Sequence, residues 1–101
     1  MSEETFFPTR AVVIHDIVRA LNTWGGFLPS EGIMGPRTFA LLALDYSVQA
    51  GVSDATLYAA GVPVTANEGM PEGALRLFRR GDAESMQFTH YRTDSWMAMY
   101  A

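Results

Sequence analysis

The sequence predicts an α+β fold, with a three-helix N-terminal core followed by a small C-terminal β-hairpin. Three observations carry that expectation. Apolar residues recur at spacings of three and four between residues 10 and 24, which marks one face of a helix. A second apolar run begins behind Gly35-Pro36 and stops at Gly51. Past residue 74 the apolar period changes to two, the period of a strand. Within one domain of 101 residues the expected order is a lead over 1–8, a helical core over 9–61, a loop over 62–73, and a hairpin with its tail over 74–101.

Each element has a local physical reason. Thr9 is placed as an N-cap, because its hydroxyl can accept from backbone N–H groups of the first turn. Behind it Val13, Ile14, Ile17, Val18, Leu21 and Trp24 form the apolar face, and Asp16, Arg19 and Asn22 fall largely away from it. Gly25-Gly26 ends the helix. After the linker "FLPSEGIMG", Pro36 opens the second helix at the position where a missing N–H costs nothing. "FALLAL" is apolar nearly all round, so helix 36–50 is expected to be central and the most buried. Ser53 caps a short third helix, "DATLYAAG".

The segment "PVTANEGMPEGA" reads as loop, for its prolines and glycines. Beyond it the alternation puts Leu75 and Leu77 on one face, and Met86, Phe88 and His90 on another, around the turn material "RGDAE". A helix over 71–80 is the competing reading of that stretch. The tail "SWMAMY" is a further strand or a docked end.

Composition narrows function. Hydrophobic residues make up 49% and charged residues 18%, so the chain is well placed to fold and poorly placed to be disordered. The net charge of −4 argues against direct nucleic-acid binding, which uses a basic face, and against adsorption to anionic membranes. No apolar run is long enough to span a bilayer. The start "MSEETFFPTR" lacks the pattern of a signal peptide, and a cytoplasmic protein is expected. Cysteine is absent and all seven basic residues are arginine. Thiolate chemistry and lysine Schiff-base chemistry are therefore absent. No cofactor is expected.

The two histidines, His15 and His90, have no spacing that suggests a metal or catalytic pair. His15 and its neighbour Asp16 point roughly 100° apart on a helix. The bland reading gives both histidines ordinary hydrogen bonds. Arg76, Arg79 and Arg80 form the one basic cluster, suited to a phosphate or an acidic partner or balanced by Asp82 and Glu84 as a solvated face. Phe6 and Phe7 near one end, with Trp96, Met97, Met99 and Tyr100 near the other, are residue types enriched in interface cores. They are the expected partner-binding residues, with the arginines as polar rim.

Two resemblances add to this. Residues 12–61 resemble the peptidoglycan-binding-like three-helix domains: Glu31, Gly32, Gly35, Pro36 and Thr38 match their acidic-Gly-x-x-Gly-Pro-x-Thr entry into the second helix. That family usually has Asp where Glu31 stands. The resemblance implies a turn–helix scaffold, with glycan binding as an alternative function. The whole chain, short, acidic and free of Lys and Cys, resembles the small pseudomonad quorum-sensing antiactivators. That resemblance implies a bacterial regulator that sequesters a LuxR-type transcription regulator. The expectation is a non-enzymatic regulator acting by protein–protein interaction, and a homodimer. A small hydrolase is the remaining alternative, and it requires a cleft where acids and a histidine converge.

Overall fold

The computed structural model describes residues 5–46, 56–79, 81 and 84–93. Their elements run α1 (Arg10–Thr23), β1 (Glu31–Met34), α2 (Pro36–Asp45), β2 (Leu57–Ala59), β3 (Val62–Ala66), β4 (Leu75–Phe78) and β5 (Ser85–Phe88). The strands form one mixed sheet in the order β2-β3-β1-β4-β5. β1 and β3 are parallel, and the other neighbours are antiparallel. No helix among the described residues is long and apolar enough to cross a membrane.

This architecture overturns the three-helix core with an appended hairpin. Where the third helix was expected, residues 57–59 are a strand. The segment read as a loop from residue 62 opens with β3, and the linker before Pro36 contains β1. Leu57 and Ala59 are buried while Tyr58 between them is 60% exposed. That is a strand's alternation, compressed into three residues that a helical reading absorbs equally well. The turn at Ala60-Gly61 has positive φ at both residues, 51° and 81°. Such a turn joins two antiparallel strands with the twist they need. Ser53, and the end of helix 36–50 beyond Tyr46, lie outside the described residues.

Alternation then separates the sheet's two faces. Met34, Leu57, Ala59, Val62, Val64, Leu75, Leu77 and Phe88 are all buried, and the strand registers place them side by side. Leu75 stands opposite Phe88 and Leu77 opposite Met86, so the two alternating runs share one face instead of taking separate ones. Against that face lie Val13, Ile17, Ala20 and Trp24 of α1 and its cap, and Phe39, Leu42 and Ala43 of α2. Each fully buried aliphatic side chain contributes about 1.5–3 kcal/mol. In the apolar run of α2, Phe39, Leu42 and Ala43 are buried, and Ala40, Leu41 and Leu44 are half-buried. The reverse face of the sheet carries Ile33, flanked by Thr65 and Arg76.

Gly32 occupies the middle of the buried face, where a side chain would press on its neighbours. A Cβ there would meet Leu77 Cδ2 at 3.0 Å and Leu75 Cδ1 at 3.2 Å. The glycine of the acidic-Gly motif is thus a packing residue, placed where side chains from two neighbouring strands converge.

Gly35 answers to a different neighbour. A Cβ on it would collide with the carboxylate of Glu72, which is docked on the N-terminus of α2. The Arg37 amide donates to Oε2 at 3.1 Å, and the Thr38 amide and hydroxyl donate to Oε1, each at 2.9 Å. Thr38 Oγ1 in turn accepts from the Gly73 amide at 2.7 Å. A carboxylate satisfies the free amides of a first turn and complements its dipole. Slight burial acts to raise the Glu72 pKa. The hydrogen bonds from Thr38 and Arg37, with the Arg37 charge, outweigh it and hold the carboxyl below its ordinary range.

Two predictions follow from these contacts. Gly32→Ala is expected to destabilise the fold by about 1–3 kcal/mol through overpacking, read as a lowered midpoint in urea. A carboxyl with a lowered folded pKa contributes stability above its unfolded pKa and loses it as pH falls through the folded value. Glu72→Gln should therefore cost about 1 kcal/mol at neutral pH, the scale of a lost cap. Denaturation followed from pH 7 to pH 3 should show the variant and the parent converging in acid; a gap that stays constant would refute the assignment.

Candidate binding cleft around Asp16

The chain before α1 is held by backbone pairing to a segment far along the sequence. Phe6 N–H donates to His90 O at 2.8 Å, and Arg92 N–H donates to Phe6 O at 2.7 Å. Tyr91 N–H donates to Gly73 O at 3.1 Å. Pro8 is fully buried, and Thr9 caps α1 by accepting from the Val12 amide at 3.3 Å. Together these place Phe6, His90 and Tyr91 alongside the first turns of α1.

Asp16 lies at their meeting point and is fully buried. Its Oδ2 accepts from His90 Nε2 at 2.7 Å and from the Tyr91 hydroxyl. A carboxylate oxygen accepts, so Nε2 is the protonated nitrogen of His90 and Nδ1 is the one left free when the ring is neutral. Burial, then the Asp16 charge and the hydrogen bond to it, push the Tyr91 phenol far above its ordinary range. The His90 ring is packed by Phe6 edge-on, with centroids 5.4 Å apart, and by Phe88 and Tyr91 at 5.7 and 4.9 Å.

The other carboxylate oxygen, Asp16 Oδ1, is buried and has no hydrogen-bond partner. His15 Nδ1 stands 4.0 Å from it, on a side chain that is 74% exposed. Above these groups opens a cleft of about 410 Å³, walled by Phe6, Ala11 and Val12 and edged by His15, Asp16, Arg19 and His90. The Arg19 guanidinium lies over the Phe88 ring, 5.3 Å from its centroid. Among the described residues no group of three or more His, Cys, Asp or Glu side chains is arranged to hold a metal ion.

Two sequence expectations are corrected here. Asp16 was assigned away from the apolar face, yet it is buried, while Val18, assigned to that face, is 43% exposed. The signal was present in the spacing: Asp16 stands three residues after Val13 and four before Ala20, and both are buried. The acidic side chain masked it. The expectation that His15 and Asp16 form no ready dyad stands beside a 4.0 Å approach of His15 Nδ1 to Asp16 Oδ1, and the histidine hydrogen-bonded to Asp16 is at position 90. No local pattern announces a partner 74 residues away.

Of the expected partner-binding residues, Phe6 forms a wall of the cleft. Phe7 is half-buried beneath the Arg92 guanidinium, 4.5 Å from its ring centroid. Arg76 donates to Gln87 Oε1 from Nε at 3.1 Å and Nη2 at 2.6 Å. Arg79 pairs with Glu84 at 3.1 Å and lies over the Phe27 ring. These two arginines are engaged at separate points of the sheet. Arg80, Trp96, Met97, Met99 and Tyr100 lie outside the described residues. In the Gly32–Thr38 turn, the amides of Arg37 and Thr38 are already taken by Glu72.

Tyr91→Phe removes one of two donors to a buried carboxylate oxygen. The expected cost is about 1–3 kcal/mol, measured by urea unfolding at pH 7. A group whose folded pKa is raised lends stability below its unfolded pKa and loses it as pH rises above that value. The difference between parent and variant should therefore shrink in alkaline solution.

Comparison with known proteins adds no relative: no family model, no curated protein and no solved structure matches the chain.

Proposed function

We propose that this protein is a non-enzymatic regulator that acts by binding another protein, and that the cleft beside Asp16 receives a projecting side chain of that partner. The observation that carries the reading is a cleft of about 410 Å³ with apolar walls and one buried carboxylate in its lining. Sites that recognise small groups have this form, an apolar enclosure with a few placed polar atoms. Phe6, a wall of the cleft, is 38% exposed. Sequestration of a transcription regulator of the LuxR type is the specific form proposed, with the protein itself acting as a homodimer. Trp96, Met97, Met99 and Tyr100 are proposed as further anchors on their residue types alone.

One observation favours a second reading, a small hydrolase. Asp16 orients His90 at the edge of the cleft, and a carboxylate-held imidazole is a competent general base. The described cleft residues include no serine or threonine, so water would be the nucleophile.

The test is co-purification from the native host with tagged parent and tagged Phe6→Ala. Phe6 is partly exposed, so the variant should fold. A partner held in stoichiometric amount by the parent should be weakened about tenfold or more in the variant, the scale of a hot-spot residue. Equal capture by both would reject the cleft as the docking point. Ester turnover by the purified parent, abolished in His90→Asn, would favour the hydrolase.

A further inference from the structure

We propose that the cleft selects an alkylammonium group, the lysine side chain of the partner, with Asp16 Oδ1 as its acceptor. This rests on the reading of the cleft as a docking point. Asp16 is fully buried, yet only Oδ2 is used, by His90 and Tyr91. Oδ1 has no hydrogen-bond partner, and a buried acceptor without a donor is a costly arrangement that a donating ligand relieves.

The geometry also narrows the donor. Arginine's planar fork is matched by two free carboxylate oxygens, and here one is already occupied. A single free oxygen suits the compact point charge of an ammonium. The stem of such a group is covered by Phe6, Ala11 and Val12, as aliphatic stems of charged side chains are covered elsewhere. Arg19, also at the edge, is turned onto Phe88 and makes no ion pair with Asp16 among the described residues. Oδ1 is itself shielded from solvent, so the proposal requires a neighbouring side chain to move, and His15 is the one we assign. That side chain is exposed, and its Nδ1 stands 4.0 Å from Oδ1.

The experiment titrates the intact protein, followed by amide NMR shifts, with three probes. They are n-butylammonium, the capped tripeptide Gly-Lys-Gly, and the same peptide with norleucine in place of lysine. The two lysine-like probes should shift residues around 11–19 and 90–91, and norleucine should bind at least about tenfold more weakly, the worth of a charge-assisted bond. Asp16→Asn should erase that preference. Ala11→Trp, a change on an exposed helix position, should block all three probes while leaving the fold intact, so the test does not hinge on the buried variant folding. His15→Ala should retain or strengthen binding.

Equal binding of the norleucine peptide, or loss of ammonium binding in His15→Ala, would overturn the proposal. Binding of n-butylammonium with exclusion of the peptide would overturn the partner lysine in favour of a free amine. These titrations need no partner protein, so their failure is distinguishable from failure of the co-purification.

Discussion

The carboxylate of Asp16 is the point on which the described structure turns. A charged group this deeply placed is tolerated only when donors surround it. Both of its donors come from residues 90 and 91, far from α1 in sequence. The segment carrying them therefore has to lie against the helix. That placement draws in the chain before α1, which pairs with the same segment through Phe6. One buried charge thus coordinates both ends of the described chain, and it does so where the cleft opens.

A second carboxylate plays a comparable part on the other helix, and the contrast is informative. Glu72 uses both oxygens on the amides and hydroxyl at the start of α2. It is a completed joint between a loop and a helix. Asp16 uses one oxygen and leaves the other buried without a donor. The first arrangement has a full structural explanation in helix capping. The second has an unmet requirement, which is why the cleft, and not the glycine-rich turn before α2, is the place to look for a ligand.

Parts of the fold were legible from residues alone, and others were misread for identifiable reasons. The spacing from Val13 to Trp24, with Thr9 before it and Gly25-Gly26 after it, marks α1 where the structure has it. Gly35-Pro36 marks the start of α2. The strands β1, β2 and β3 escaped because each is short and lies among residues that read as turn, loop or helix. Over such a length, alternation is hard to distinguish from part of a helical turn, and Pro63 and the glycines nearby favoured a loop. Asp16 escaped because its type suggested solvent, although its spacing placed it with Val13 and Ala20.

What the sequence by itself determined is local: where two helices begin, that Thr9 caps the first, and which positions alternate after residue 74. Those features depend on backbone sterics, capping and side-chain periodicity over a few residues, and the neighbours in sequence carry all the information. Only the tertiary structure decided that the short segments join a single mixed sheet, that Gly32 lies tightly against Leu75 and Leu77, and that Asp16 meets His90 and Tyr91. Each of these rests on contacts between residues distant along the chain, and the donor that a buried charge requires is chosen by the packing of the whole domain.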